Sequence, residues 1–136
     1  MDEYRRIIDT KDEPSKDWEK RRDIIHPLVE LGTDEAINLV CDLLIKDPNS
    51  SVRIRAASVL KEVNNPSILA CLLKALKDWD SGVRLRVLKT LGDLNLSFGE
   101  EIIPVLLEME KKDNSEIIKL EIKKILKKQS DMKNKK

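Results

Sequence analysis

The sequence has few aromatic residues, few cysteines, one histidine and no long apolar run, and each shortage excludes a class of protein. Aromatic residues make up 3% of the 136 positions, so a core must consist of Leu, Ile, Val and Ala. No apolar stretch approaches the roughly 18 residues of a membrane-spanning helix, and the first ten residues are too charged for a secretory signal. We therefore expect a cytoplasmic protein without a membrane span.

The same shortages limit the chemistry. Cys41 and Cys71 are too few for a secreted disulfide scaffold, and both align with apolar residues of the repeat described below, so we expect reduced thiols in the core. The single histidine, His26, leaves no second imidazole for a zinc site or a nucleophilic centre. The four glycines are scattered and form no phosphate-binding loop. We expect no catalytic residue, no metal and no cofactor, and hence no enzyme.

Charge is abundant but balanced. Charged residues make up 38% of the chain, and the formal net charge is +1. This balance argues against a surface tuned throughout to nucleic-acid phosphates, although it is compatible with a local basic stripe.

One segment occurs twice. The residues from Asp47 to Arg55 (DPNSSVRIR) return 31 positions later, from Asp78 to Arg86 (DWDSGVRLR). A repeat of this length is typical of a solenoid, in which each unit buries its apolar side against the next.

Apolar residues at helical spacing predict three pairs of helices over about residues 34–128. The first helices carry these stripes: Ile37, Val40, Cys41, Leu44; Ile68, Cys71, Leu72, Ala75; and Ile102, Val105, Leu106, Met109. The second helices carry these: Val52, Ala56, Val59, Leu60, Val63; Val83, Val87, Leu91, Leu94; and Ile117, Ile118, Ile122, Ile125, Leu126.

The ends of the chain complete this division. Residues 18–31 fit one more second helix, kinked by Pro27, and residues 3–9 fit a truncated first helix that caps the stack. Residues 97–100 (SFGE) have the spacing of a capping box that opens a helix. We expect one domain over residues 1–128, with repeats at approximately 1–32, 33–63, 64–96 and 97–128, and a disordered Lys-rich tail over 129–136.

The segments Val52 to Ala57 (VRIRAA) and Val83 to Leu88 (VRLRVL) resemble the HEAT-repeat family, particularly its short form related to phycobilisome-lyase repeats. The resemblance implies an all-α fold, a right-handed α-α superhelix of about three to four helical hairpins. It also implies a structural ladder between repeats, formed by Asp47, Arg53, Asp78 and Arg84. In the last repeat Lys119 replaces the arginine, so we expect the ladder to end there.

The function that follows is a scaffold module, a monomer or weak oligomer, that binds another protein. In HEAT-like stacks the exposed side of the second helices is concave, and Ile54 and Leu85 lie there as apolar anchors beside arginines. The predicted partner-binding residues are Arg22, Ile54, Arg55, Ser58, Leu85, Arg86, Lys89, Lys119 and Lys123.

Three alternatives remain at this point. Ile54 and Leu85 are equally compatible with packing beneath the neighbouring repeat. A nucleic-acid binder would use the same Arg and Lys residues, although Glu62 and Asp93 on the same stripe and the lack of aromatics argue against it. The resemblance alone suggests an accessory subunit of a lyase-like complex.

Overall fold

A computed structural model describes residues 1–9 and 14–134, and within these ranges the chain is helical and has no β-strand. The α-helices in this part of the chain are α1 (Asp2–Ile8), α2 (Pro14–Asp23), α3 (Ile25–Leu31), α4 (Asp34–Lys46), α5 (Ser50–Val59), α6 (Ile68–Ala75), α7 (Ser81–Asp93), α8 (Ile102–Lys112) and α9 (Glu116–Asn134). A 3-10 turn over Leu60–Glu62 extends α5.

The helices stack in layers. Each first helix packs on the second helix that follows it: α4 on α5, α6 on α7 and α8 on α9. The second helices lie side by side, since α5 contacts α7 and α7 contacts α9, and α2 and α3 cover the other side of α5. The predicted all-α fold of stacked helix pairs is therefore confirmed.

The core follows the repeat. Val52 and Val83 occupy matching positions in adjacent layers, and both are fully buried. All the buried apolar residues of the described ranges are Leu, Ile, Val or Ala, apart from one cysteine, as the shortage of aromatic residues predicts. One continuous aliphatic core thus runs through the stack.

Side chains at the turns define where the helices start. The Thr33 hydroxyl accepts a hydrogen bond from the Ala36 amide at 3.1 Å and caps α4. The Asn49 side chain accepts from the Ser51 amide at 2.8 Å and caps α5, and the Asp80 carboxylate accepts from two amides at the start of α7. These caps satisfy amides that have no partner inside the helix.

The N-terminal part matches its prediction closely. The expected truncated first helix is present as α1. The expected kink is a break between α2 and α3 at Ile24. Pro27 explains the break, because it has no amide hydrogen to donate to the carbonyl one turn earlier.

Two predictions at the C-terminal end are wrong. The capping box does not form, since α8 begins at Ile102 without a side-chain cap, and the Phe98 amide instead donates to Gln129 Oε1 at 2.9 Å. The tail from residue 129 is not disordered, because α9 continues to Asn134. Gln129 Nε2 also donates to the Leu96 carbonyl, which ties the helix end to the preceding loop. Residues 135 and 136 lie outside the described residues.

The prediction of reduced thiols is also wrong. Cys41 on α4 and Cys71 on α6 form a disulfide, with their Cα atoms 5.8 Å apart. Their separation of 30 residues is close to the repeat length, so they meet where two neighbouring first helices pack. The cytoplasmic location stays a prediction. None of the helices within the described ranges combines the length and apolar character needed to span a bilayer.

Candidate functional site

Arg53 lies between two layers of the stack and bonds to both. Its Nη1 donates to the backbone carbonyl of Asp47, in its own layer, at 2.8 Å. Its Nε and Nη2 donate to the carboxylate of Asp78, in the following layer, at 2.9 and 3.4 Å. The Arg53 side chain is only 4% exposed, so this ion pair is shielded from solvent.

The same arrangement recurs before and after Arg53. In the preceding layer, Arg21 donates to the Asp47 carboxylate through Nε at 2.8 Å and Nη2 at 3.3 Å. In the following layer, Arg84 donates to the Asp78 carbonyl at 2.9 Å and lies 3.4 Å from the Asp113 carboxylate. We call this series, Arg21, Asp47, Arg53, Asp78, Arg84 and Asp113, the Asp–Arg ladder.

The carboxylates of the Asp–Arg ladder also accept hydrogen bonds from backbone amides at the turns. Asp47 accepts from the amide of Asn49 at 2.9 Å, Asp78 from that of Asp80 at 2.9 Å, and Asp113 from that of Ser115 at 3.0 Å. Each carboxylate therefore fixes the entry of a second helix and also binds the arginine of the preceding layer. This geometry suits a structural seam better than a ligand site.

The ladder ends at α9. Lys119 stands in the register position of Arg53 and Arg84, and its ammonium lies 3.8 Å from Glu116 in the same helix. The structure thus brings together the four predicted ladder residues and adds Arg21 and Asp113. Both additions were visible in the sequence, Arg21 by its alignment with Arg53 and Asp113 by its spacing from Lys119.

The predicted apolar anchors are only partly exposed. Ile54 and Leu85 are half-buried and pack against the core. Ile54 Cδ1 lies 3.7 Å from the point that a Cβ on Gly82 would occupy, an ordinary contact distance, so Ile54 lies close to α7 of the next layer. Partial burial of both residues is in line with the packing alternative, and their role in partner binding stays a prediction.

Polar residues remain on this side of the second helices. We define the second-helix face by Arg55, Ser58, Arg86 and Lys89, of which Arg55 and Lys89 are exposed and the other two partly exposed. Within the described part of the chain, no hydrogen bond or ion pair engages the charged groups of Arg55, Arg86 and Lys89. A groove of about 380 Å³ runs between α7 and α9 and is lined by charged side chains of both signs, namely Arg86, Lys89, Lys124, Lys128, Asp93 and Glu121.

On α2 and α3, the predicted binding residue Arg22 and the single histidine both have partners within the fold. Arg22 lies over the ring of Trp18, 5.0 Å from its centroid, and pairs with Asp23 at 3.1 Å. His26 lies 3.0 Å from Glu30 and 3.6 Å from Glu62. Arg22 and His26 thus each have a partner nearby, unlike the charged groups of the second-helix face.

Lys119 and Lys123 do not continue the row of Arg55 and Arg86. Counted from the ladder aspartate, they occupy the positions of Arg84 and Leu88, which in the preceding layer are turned toward the following layer. The α9 residue in register with Arg86 is Glu121, which pairs with Lys124 at 3.6 Å. We therefore place Lys119 and Lys123 at the open end of the stack.

The resolved pKa shifts belong to exposed ion pairs on the first helices and at the N-terminus. On α8 the Glu108 carboxylate accepts from Lys112 at 2.7 Å, which lowers the pKa of Glu108 and raises that of Lys112. The hydrogen bond to Glu35 raises the pKa of Arg5. Among residues 1–9 and 14–134, no group of three or more His, Cys, Asp and Glu side chains is placed to hold a metal ion.

Sequence reasoning missed one exposed residue, Trp79, on the turn between α6 and α7. Its side chain is 80% exposed. The signal was available, because the positions in register with it hold Pro48 and Asn114. A large aromatic residue that replaces turn residues is not required by the repeat.

These observations define the class of protein: an α-solenoid whose layers are joined by an aliphatic core and by the Asp–Arg ladder. The family model described as HEAT repeats matches residues 37–127, more than half of the chain. The chain therefore belongs to the HEAT-repeat family, as its sequence resemblance implied. HEAT repeats generally mediate protein–protein interaction or scaffolding and are typically non-catalytic. A comparison with curated proteins gave no match.

Proposed function

We propose that this chain is a non-enzymatic scaffold module that binds another protein through the second-helix face. One observation carries the proposal: Arg55, Arg86 and Lys89 stand in adjacent layers without an ion-pair partner among the described residues. Unpaired cations in a row favour a partner with acidic side chains. Binding of this kind needs no cofactor.

Two partly exposed apolar residues beside the face fit the same role. Ile54 and Leu85 pack against the core and support the helix surface from which the cations project. Arg is a common interface residue because its planar group binds carboxylates through two hydrogen bonds. The groove between α7 and α9 offers a place for a partner side chain beside Arg86.

Nucleic acid is the competing ligand for the same cations. Glu62, in the 3-10 turn that follows α5, and Asp93, at the end of α7, occupy matching positions in their repeats. Their carboxylates would repel a phosphate backbone. A protein partner tolerates such mixed charge. For this reason we favour the protein.

A charge-reversal experiment tests the proposal. The tagged wild type, the Arg55→Glu plus Arg86→Glu variant and a control, Lys111→Glu plus Lys133→Glu, are used to purify partners from the native cell. The control makes the same change in net charge at exposed residues elsewhere. We expect the first variant alone to lose its partner, with a loss of about 2 kcal/mol or more of binding free energy measured afterwards on the purified pair.

Nuclease treatment separates the two ligand classes, because it should abolish capture of nucleic acid but not of a protein. Salt should weaken binding to either ligand, since the second-helix face binds through cations, but the loss between about 50 and 200 mM salt should be steeper for nucleic acid. Retention of every partner by Arg55→Glu plus Arg86→Glu would reject the second-helix face as the binding surface.

A further inference from the structure

Trp79 lies on a different part of the molecule from the second-helix face. It belongs to the turn between α6 and α7, beside the Asp–Arg ladder. At 80% it is the most exposed of the large apolar side chains that lie within residues 1–9 and 14–134. Exposing an indole to water is unfavourable, and the fold does not demand it, since Pro48 and Asn114 occupy the matching positions of the other layers.

The Trp79 indole is held in place by neighbouring residues. The Arg53 guanidinium lies over its ring, 5.4 Å from the centroid, and the Trp79 carbonyl accepts a hydrogen bond from Arg84 at 3.1 Å. Because the ladder fixes both arginines, Trp79 presents a preorganised apolar surface. An anchor of this kind loses little conformational entropy when it binds.

A groove lies next to the indole. Its volume is about 440 Å³. We call it the Trp79 groove and define it by the accessible residues that line it: Ile45, Lys46, Pro48, Lys74, Lys77 and Trp79. Ile45 is itself 36% exposed, so the groove has a second apolar position.

The charge available in this groove is positive. The carboxylates of Asp47 and Asp78 also border it, but Arg21 and Arg53 already bind them. By contrast, within the described ranges no ion pair engages Lys74 or Lys77, although the charge of Lys77 helps to lower the pKa of Glu108, and the Lys46 ammonium lies as far as 4.0 Å from Asp42. Three accessible lysines therefore line the groove beside the exposed indole.

We propose that the Trp79 groove is a second binding site, which takes an acidic peptide segment of a protein partner. An apolar side chain of the peptide packs on the indole, and its carboxylates pair with Lys46, Lys74 and Lys77. The apolar lining favours a peptide over single-stranded nucleic acid, which would stack successive bases on several aromatic rings. The site is independent of the second-helix face, so either proposal can fail without the other.

The test uses the peptide fluorescein-EEDFEDE-amide, labelled at its N-terminus, titrated with the full chain and followed by fluorescence anisotropy. Control peptides replace the phenylalanine with glycine or every acidic residue with lysine. We expect saturable binding of the first peptide, and binding weaker by about tenfold or more for either control. Trp79→Ala and Lys74→Glu plus Lys77→Glu should each weaken binding by a similar factor.

Two matched variants guard against a general effect. Trp18→Phe, which alters the other tryptophan, and Lys111→Glu plus Lys133→Glu, which makes the same change in net charge as Lys74→Glu plus Lys77→Glu at exposed residues elsewhere, should both leave peptide binding unchanged. Circular dichroism of each variant checks that it is folded. In Trp18→Phe, the emission of Trp79 alone should shift when the peptide binds.

Three outcomes would overturn the proposal. The first is no binding of the acidic peptide up to about 1 mM protein. The second is equal binding by the wild type and Trp79→Ala. The third is tighter binding of a single-stranded oligothymidylate than of the peptide, which would assign the groove to nucleic acid.

Discussion

Arg53 donates to the carboxylate of Asp78 at 2.9 Å although 25 residues separate them, and the same guanidinium donates to the carbonyl of Asp47. One side chain therefore closes a turn in its own layer and binds the next layer. The exposure of the ladder pairs increases along the stack. The side chains of Arg21 and Asp47 are 0% exposed, those of Arg53 and Asp78 are 4% and 8%, and those of Arg84 and Asp113 are 22% and 10%.

This gradient predicts graded effects on stability. Asp47→Ala removes the partner of a fully buried guanidinium and should cost about 3 to 5 kcal/mol in the free energy of unfolding. Asp78→Ala should cost slightly less. Asp113→Ala should cost about 1 kcal/mol, because Arg84 is partly solvated and its contact is longer, at 3.4 Å. Urea denaturation measures all three.

The control for this series removes both charges of one pair. Arg53→Met combined with Asp78→Leu leaves no unpaired buried charge, so it should be more stable than Asp78→Ala alone. Equal losses for Asp47→Ala and Asp113→Ala would show that burial does not govern the strength of the ladder.

The sequence predicted those features that depend on residues within one repeat. Helix pairs follow from apolar spacing, and the aliphatic core follows from the scarcity of aromatic residues. The ladder was implied by the family resemblance, since its aspartates and arginines recur at one spacing. Each of these signals is local and appears at least twice.

Features that depend on the exact register between two layers were left open or missed. Ile54 lies beside Gly82 of the next layer, and the Thr90 hydroxyl donates to the Ala57 carbonyl at 2.7 Å across the same seam. The disulfide required the register between α4 and α6. A single sequence indicates which segments are helices. It does not indicate the contacts between helices, because a shift of one residue in their register changes which side chains meet.

Reduction of the disulfide should destabilise the fold. The bond between Cys41 and Cys71 closes a loop with a sequence separation of 30, which in the chain-entropy account stabilises the protein by about 3 to 4 kcal/mol. Thermal unfolding with and without dithiothreitol measures the difference. The double variant Cys41→Ser plus Cys71→Ser serves as the control, because its unfolding should not respond to the reductant. Detection of two reactive thiols in the native, unreduced protein would contradict the assignment.

The end of α9 should stabilise the loop before α8. Gln129 accepts from the Phe98 amide at 2.9 Å and donates to the Leu96 carbonyl at 3.0 Å. We expect Gln129→Ala to cost about 1 to 2 kcal/mol in the free energy of unfolding and to speed hydrogen exchange of the Phe98 amide. Ser130→Ala, at an exposed neighbouring position, is the matched control and should leave both quantities unchanged. A chain truncated after Lys128 that keeps the exchange rate of the wild type would refute the role of this helix end.

Ile54 and Arg55 are adjacent in α5, but a negative charge should lower the stability of the protein at Ile54 and leave it almost unchanged at Arg55. Ile54 is half-buried against the core and near Gly82, so Ile54→Asp brings a carboxylate into an apolar seam, and we expect a loss of about 2 to 3 kcal/mol in the free energy of unfolding. Arg55 is exposed and without an ion pair among the described residues, so Arg55→Glu should change stability by no more than about 0.5 kcal/mol. If a partner is then available, Arg55→Glu should weaken its binding while the fold is intact. The pair of variants therefore separates loss of structure from loss of the binding surface, and a stable Ile54→Asp protein would support Ile54 as an exposed anchor.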